Sequence, residues 1–274
     1  MFPLLLEPED LALYLGKHPK PDNLLIVDLS RESVYQQLHV PGAVWLDFKQ
    51  LQSGQAPKPG GLPNEQALTT LMQSIGLSEG MHVIAYDDEG GGWAGRFLWT
   101  LEMLGFSQYS YLNGGIHAWV KSGLPVEETV TSPEPSAFAA TIQGDAMISK
   151  DEILAQLGEP TFGIWDARST DEFSGHKVFA QKGGHIPGAM HYEWIRLMDT
   201  NRHYRLKDLE HIQATLNDLG LTQDKLIATH CQTHHRSGLT WLAGKILGYS
   251  NIKAYDGSWV EWGNDPDTPV ETLC

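Results

Sequence analysis

The chain repeats its own pattern once, and this duplication constrains the fold more than any other feature. Segments of the first half recur in the same order in the second half. The matched pairs are residues 24–30 with 162–169, 39–43 with 185–189, 83–106 with 226–249, and 112–119 with 255–262. Repeated matches in one order indicate two copies of a single fold, not one large domain.

A polar stretch separates the two copies. Residues 127–136 read Glu-Glu-Thr-Val-Thr-Ser-Pro-Glu-Pro-Ser, which is proline-rich and has no hydrophobic period, as is typical of linkers. We place the boundary near Pro133. The first domain then spans residues 1–132, with the linker from about residue 127, and the second spans residues 133–274. A chain of 274 residues, 41% of them hydrophobic, is long enough to bury two cores.

Each copy alternates short aliphatic runs with amphipathic stretches, the pattern of a mainly parallel sheet flanked by helices. The sequence predicts strands at residues 24–28, 83–86, 110–112, 164–166, 226–229 and 252–255. It predicts helices at residues 65–75, 206–219 and 236–247. Capping boxes at residues 149–152 and 169–172 predict two further helix starts. The expected fold class is therefore α/β, in two tandem domains.

Charge and cysteine content narrow the functional classes. The chain has 34 acidic and 19 basic side chains, and a net charge of -15 repels nucleic acid and anionic membrane surfaces. No apolar run approaches the length of a membrane span, and the start of the chain lacks the basic flank of a signal peptide. Two cysteines cannot form a disulfide framework. We therefore expect a reducing, cytoplasmic setting and neither a nucleic-acid nor a membrane partner.

One loop of this acidic chain is locally basic. Residues 231–236 read Cys-Gln-Thr-His-His-Arg, between a predicted strand and a predicted helix. In open parallel sheets ligands bind outside the carboxyl ends of strands, where helix amino termini present N–H groups. A thiol at such a place, beside cations, becomes a thiolate near neutral pH. We therefore expect Cys231 to be a nucleophile, and Cys274 to be an inert terminal thiol.

The string Cys-Gln-Thr-His-His-Arg-Ser at residues 231–237 is similar to the active loop of azotobacter-type rhodaneses. The whole chain resembles a tandem-domain rhodanese through its duplicated Asp, His-x-Pro-Gly-Ala and Gly-Trp landmarks. This resemblance implies a sulfurtransferase that carries sulfur as a persulfide on Cys231, with no metal or organic cofactor. It also implies that the first copy is inactive, because Asp88 aligns with Cys231 in the repeat. The surface of this first copy would form part of the wall of the cleft.

The same resemblance suggests the binding residues. The partners would be a small anionic sulfur donor and an acceptor, which is cyanide, a small thiol or a protein thiol. The family's anion-binding arginine falls on Arg168, at a strand end on the same sheet edge as Cys231, and Arg236 is a second candidate. Trp194 is a further candidate because it follows a Pro-Gly turn in the second copy. The full set of predicted substrate-binding residues is Arg168, Trp194, Gln232, Thr233, His234, His235 and Arg236.

Several alternatives remain open from the sequence. Thiosulfate is the preferred donor, with 3-mercaptopyruvate as the alternative, and a persulfide carrier that serves a protein acceptor would use the same cysteine. A cysteine phosphatase is a remote alternative, because its loop places five residues between Cys and Arg, whereas four separate Cys231 from Arg236. A zinc site is disfavoured because the histidines and cysteine lie in one tight loop.

Overall fold

The computed structural model describes residues 2–18, 21 and 23–273. The strands are β1 (Leu5–Leu6), β2 (Leu24–Asp28), β3 (Val44–Trp45), β4 (His82–Tyr86), β5 (Tyr109–Leu112), β6 (Phe162–Asp166), β7 (Met190–His191), β8 (Met198–Asp199), β9 (Arg205–Leu206), β10 (Leu226–His230) and β11 (Ile252–Ala254). The α-helices are α1 (Pro8–Lys17), α2 (Glu32–Tyr35), α3 (Glu65–Ser74), α4 (Gly92–Met103), α5 (Gly115–Lys121), α6 (Lys150–Gln156), α7 (Thr170–Ser174), α8 (Leu209–Asp218), α9 (Arg236–Ile246) and α10 (Ser258–Trp262). Short 3-10 helices span Phe48–Leu51, Trp194–Leu197 and Thr200–Arg202.

The described residues form two compact units, and each unit includes residues that the sequence places in the other copy. Unit 1 contains the residues up to Leu51 together with Pro63–Gly144 and Met198–Leu206. Unit 2 contains Gln52–Leu62, Asp145–Leu197 and the residues from Lys207 onward. The chain thus passes from unit 1 to unit 2 after Gly144, and the domain boundary near Pro133 stays a prediction.

Unit 1 is built on a five-stranded sheet in the order β1-β5-β4-β2-β3. Every neighbouring pair in this sheet is parallel. The antiparallel pair β8 and β9 also belongs to this unit. The buried core includes Ile26, Ile84, Leu112 and Trp119.

Unit 2 is built on a four-stranded sheet in the order β11-β10-β6-β7, again with every pair parallel. Met147 forms a parallel bridge with Ala254 of β11. This bridge takes the place that β1 has beside β5 in unit 1. The central strand β10 is buried from Ile227 to its end, as a strand covered by helices on both faces must be. The core includes Ile164, Ala228 and Trp262, and Trp262 is the counterpart of Trp119 in unit 1.

The predicted α/β fold with two parallel sheets is confirmed, and each of the six predicted strands is present within a residue or two of its expected ends. Both predicted capping boxes are formed. The helix predicted at residues 206–219 begins later, at Leu209, because Leu206 belongs to β9. Asp208 caps α8 instead, and its side chain accepts hydrogen bonds from the Glu210 and His211 N–H groups. Among the described residues, no helix is long and apolar enough to cross a membrane.

Candidate active site

The cysteine loop lies at the carboxyl edge of the sheet in unit 2. Strand β10 ends at His230 and helix α9 begins at Arg236, so residues 231–235 form the strand-to-helix connection. His230 is in register with Asp166, the last residue of the neighbouring strand β6. Side chains that follow these two strands are therefore brought to one edge, where open parallel sheets bind ligands.

The Cys231 side chain is 1% exposed and is surrounded by hydrogen-bond donors. The Ser237 hydroxyl donates to Cys231 Sγ at 3.5 Å, and the Ser237 backbone N–H points to the same sulfur. Burial alone would raise the pKa of Cys231, but Arg236, the two Ser237 donors and His235 together lower it below its usual value. The surroundings therefore favour the thiolate, which is the nucleophilic form of cysteine.

Arg236 is held in place by a carboxylate from a neighbouring helix. Its Nη1 and Nη2 atoms donate to the two oxygens of Glu172 at 2.7 and 2.8 Å. Burial would raise the pKa of Glu172, but Arg236 and Ser169 lower it to about 2, while the pKa of Arg236 is raised. Glu172 is the third residue of α7 and completes the capping box that begins at Ser169. One carboxylate thus both caps a helix and orients the loop arginine.

A second buried ion pair lies at the end of β6. Arg168 Nη2 donates to Asp166 Oδ2 at 2.6 Å and to the Gly184 carbonyl at 2.7 Å, and its guanidinium lies 4.2 Å above the Trp259 ring. Burial would raise the pKa of Asp166, but His230 and Arg168 lower it to about 2. The Arg168 side chain is 1% exposed, and its hydrogen bonds go to groups of the protein itself. Its anion-binding role stays a prediction.

His230 is buried beneath the loop. Its Nδ1 atom lies 3.2 Å from the Cys231 carbonyl oxygen, and its Nε2 atom lies 3.5 Å from Asp166 Oδ2. Burial lowers its pKa, with Asp166 acting in the opposite direction, so the imidazole is neutral near pH 7. The side chain is 0% exposed, so the imidazole faces the interior and not the solvent.

The loop backbone is clamped by the start of α10. Ser258 Oγ accepts the N–H groups of Cys231 and His234 at 3.4 and 3.0 Å. In return, the carbonyl oxygens of Cys231 and Gln232 accept the N–H groups of Trp259 and Val260 at 3.0 and 3.1 Å. The start of α10 thus binds both N–H groups and carbonyl groups of the loop backbone.

Residues 52–62, a segment from the first half of the sequence, contact the same loop, and we call this segment the brace. Gln52 Nε2 donates to the Thr233 carbonyl at 2.9 Å. Gly60 packs so closely that an added Cβ would lie 2.3 Å from the Thr233 carbonyl oxygen. Sequence reasoning missed this brace, because residues 52–62 have no hydrophobic period and lie far from Thr233 in the chain.

The remaining predicted residues differ in exposure. His234 is fully buried, whereas His235 is half-buried and its ring centroid lies 5.7 Å from that of Trp194. The half-buried Gln232 donates through Nε2 to the Phe179 carbonyl at 3.4 Å. The structure thus gathers Cys231 and the loop residues with Trp194 around one strand end. Cys274 lies outside the described residues.

In unit 1 the corresponding loop holds a carboxylate. Asp87 Oδ1 accepts the N–H groups of Glu89, Gly90 and Gly91 at 2.8 to 3.1 Å, and Oδ2 accepts that of Ala94 at 3.0 Å. The chain therefore satisfies the helix start of α4 with its own anion.

The histidine of each His-x-Pro-Gly-Ala run has a structural role. His185 Nδ1 lies 2.8 Å from the Phe173 carbonyl oxygen, and the ring of His185 stacks on that of Phe173 with centroids 3.7 Å apart. His39 makes the equivalent contacts with Tyr35 in unit 1.

Comparison with known proteins agrees with this architecture. The family model described as the Rhodanese-like domain matches residues 9–122 and residues 149–265. A thiosulfate sulfurtransferase of Azotobacter vinelandii is 46% identical over 269 residues, covering 98% of this chain and 97% of that protein. One of Pseudomonas aeruginosa is 44% identical with the same coverage. A 3-mercaptopyruvate sulfurtransferase of Escherichia coli is 32% identical, covering 96% of this chain and 97% of that protein.

A solved structure shares the fold at low sequence identity. The anaerobic ergothioneine biosynthesis enzyme from Chlorobium limicola aligns with a TM-score of 0.85 at 20% identity, covering 99% of this chain and 70% of that chain. The two parallel-sheet units and the cysteine loop define a duplicated α/β protein of sulfurtransferase type. The chain belongs to the rhodanese-like family.

Proposed function

We propose that this protein is a thiosulfate sulfurtransferase that carries sulfur on Cys231. The observation that carries the proposal is the Cys231 thiol itself, which lies at a strand-to-helix connection with its pKa lowered by Arg236 and Ser237 despite complete burial. Two relatives that are 44 and 46% identical to the chain are named thiosulfate sulfurtransferases.

The reaction divides into two steps. The Cys231 thiolate attacks the outer sulfur of thiosulfate and forms a new S–S bond, while the sulfur–sulfur bond of the donor breaks and its electron pair leaves with sulfite. An acceptor nucleophile, cyanide or a thiol, then attacks the terminal sulfur, and Cys231 leaves as a thiolate. The charge on Cys231 is the same before and after the cycle, so one set of donors serves both steps.

The loop residues supply the donors for the anion. Arg236 and the amino end of α9 offer positive charge next to the sulfur, and Gln232, Thr233 and His235 offer side chains of intermediate exposure. We assign Trp194 to the wall of the site, because its ring lies against His235. Arg168 and His234 belong to the same site in this proposal, and both side chains are buried.

Thiosulfate is the proposed donor and 3-mercaptopyruvate is the second candidate. The second donor is supported by the more distant similarity to a 3-mercaptopyruvate sulfurtransferase, at 32% identity. A protein thiol is a candidate acceptor beside cyanide and small thiols, and a relative of 28% identity in Thermus thermophilus is named a sulfur carrier protein. We place the reaction in a reducing, cytoplasmic setting, because the nucleophile must stay a free thiol.

A comparison of donors tests the proposal. Purified protein is assayed for kcat/KM with thiosulfate and with 3-mercaptopyruvate, using cyanide as the acceptor in both cases. Thiosulfate should give the higher value by at least about tenfold, since a difference of that size corresponds to only ~1.4 kcal/mol of transition-state binding. A higher value for 3-mercaptopyruvate would reassign the donor, and the lack of turnover with both would contradict the proposed function.

A further inference from the structure

Two hydrogen bonds connect Cys231 to a buried imidazole. The Ser237 hydroxyl lies 3.5 Å from Cys231 Sγ, and His234 Nδ1 lies 2.7 Å from the same hydroxyl oxygen. Ser237 and His234 are 0% exposed and Cys231 is 1% exposed. One hydroxyl therefore bridges the sulfur and the imidazole, shielded from bulk solvent.

The duplicated copy provides an internal comparison for these residues. The gapless alignment of residues 83–106 on residues 226–249 places Gly91 opposite His234 and Ala94 opposite Ser237. The copy without a cysteine at this loop thus lacks both the imidazole and the hydroxyl.

The backbone at the histidine position is strained. His234 has a φ of 53°, and its counterpart Gly91 has a φ of 107°, so the fold requires a left-handed residue at this point of the loop. Glycine adopts such a conformation freely, whereas a residue with a Cβ atom adopts it only at an energetic cost. The loop with the cysteine carries a histidine at a place where glycine would relieve the strain, and strain of this kind is concentrated at functional sites.

We propose that Ser237 and His234 form a proton relay for Cys231, an inference that rests on the proposed function and deepens it. In the thiol form, the Cys231 S–H points to Ser237 Oγ, and the Ser237 hydroxyl points to His234 Nδ1. On ionisation the S–H bond breaks and its electron pair stays on sulfur. That proton passes to the Ser237 oxygen while the original hydroxyl proton passes to Nδ1.

The relay leaves a thiolate that accepts a hydrogen bond from Ser237 and an imidazolium that donates to the same oxygen. The same arrangement receives Cys231 when it leaves as a thiolate at the end of the second step. Ser237 touches the reacting sulfur and is a catalytic residue, whereas His234 acts through it and is a positioning residue.

Other charged groups act on the same sulfur and must be separated from the relay. Arg236 and His235 lower the pKa of Cys231 by their charge. Asp166 and His230 face the loop from the strand ends, and His230 contacts the Cys231 carbonyl. The test therefore leaves these groups unchanged and alters only the hydroxyl and the buried imidazole.

The thiolate can be followed without any sulfur donor. Ultraviolet absorbance of the thiolate is recorded against pH, with Cys231→Ser protein as the blank so that only Cys231 contributes. Ser237→Ala should raise the midpoint of the thiolate titration by about one pH unit, because a hydrogen bond to the charged form is lost. At a given pH below the midpoint, the ratio of thiolate to thiol is then about tenfold smaller. Ser237→Thr keeps the hydroxyl and should retain the parental midpoint.

His234→Asn tests the imidazole itself. Asparagine tolerates a left-handed backbone and keeps an N–H group near Ser237, but it takes up no proton at pH 5 to 9. We expect its midpoint to rise as in Ser237→Ala. Ser110→Ala is the matched control, because Ser110 in unit 1 is also 0% exposed and lies 2.8 Å from a histidine nitrogen, that of His82. Its midpoint should equal that of the parent.

The outcomes separate the possibilities. An unchanged midpoint in Ser237→Ala would overturn the relay. A raised midpoint in Ser237→Ala with an unchanged one in His234→Asn would overturn the role of His234 as the proton acceptor. Sulfur uptake from thiosulfate is measured on the same parental protein. If the midpoints behave as expected but no sulfur is taken up, the proposed function is contradicted and the relay stands.

Discussion

The guanidinium of Arg236 and the carboxylate of Glu172 form a two-point ion pair, with nitrogen–oxygen distances of 2.7 and 2.8 Å. The two side chains are 19% and 4% exposed, so water screens the pair only weakly. The pair joins the start of α7 to the start of α9, and α9 begins directly after the cysteine loop. The geometry of the loop is therefore coupled to the ionisation of one carboxyl group.

Replacement of Glu172 by Gln should lower stability in a pH-dependent manner. The pKa of Glu172 is lowered from 4.5 to about 2, so its contribution to stability is complete above about pH 4.5 and is lost as the pH falls toward 2. At pH 7 the free energy of unfolding of Glu172→Gln should be lower by ~1–3 kcal/mol, the usual cost of removing a partner from a buried hydrogen-bonded charge. Urea denaturation at pH 7 and pH 3 measures the difference.

The difference between Glu172→Gln and the parent should shrink at pH 3, because the unfolded chain then carries a protonated Glu172 and must release that proton on folding. Glu159→Gln is the control, because Glu159 is an exposed carboxylate of the same unit. It should behave like the parent at both values. An equal deficit of Glu172→Gln at pH 3 and pH 7 would show that the carboxylate charge does not stabilise the fold.

Turnover with thiosulfate should decline as the pH rises through about 6 to 7, because histidine loses its charge there whereas arginine does not. The structure identifies His235 as the half-buried histidine of the loop, and its charge acts on Cys231. His235→Gln should therefore have a lower kcat/KM with thiosulfate than the parent, because the imidazole that lowers the pKa of Cys231 is removed. A parental profile that is flat from pH 5.5 to pH 8 would mean that neither loop histidine supplies charge.

Replacement of Gly60 by Ala should impair the loop although no loop residue is substituted. The new Cβ would lie 2.3 Å from the Thr233 carbonyl oxygen, so the brace or the loop must move. We expect kcat to fall by about 10- to 100-fold, since small displacements of reacting groups are costly. Gly16→Ala is the control, because Gly16 lies within α1 with open space around it. Parental turnover in Gly60→Ala would show that the brace does not position the loop.

Much of the fold could be predicted from local sequence pattern. Strands such as β2 and β10 are continuous apolar runs, and α7 begins with a capping box, so their residues alone specify them. The connection between β10 and α9 followed from these elements, and it placed Cys231 at a sheet edge. The short pair β8 and β9 was not predicted, because two-residue strands have no readable period.

The contacts around the cysteine could be predicted only in part. The ion pair between Arg236 and Glu172 and the brace from Gln52 join residues far apart in the chain, and a single sequence carries no signal for such pairs. The burial of His234 could not be told from the partial exposure of its neighbour His235, because adjacent loop residues follow no fixed period. The Ser258 clamp likewise depends on where α10 packs, which is set by the assembled sheet.

The most direct test of the account is the mass of the intact protein after exposure to thiosulfate without an acceptor. Attack by Cys231 proceeds under these conditions but discharge does not, so the parental protein should gain the mass of one sulfur atom, and cyanide should remove it. Cys231→Ser should gain none, because serine has no nucleophile with an accessible pKa, and Cys274→Ser should gain the same atom as the parent. A stable gain by Cys231→Ser, or no gain by the parental protein with either thiosulfate or 3-mercaptopyruvate, would contradict sulfur transfer through Cys231.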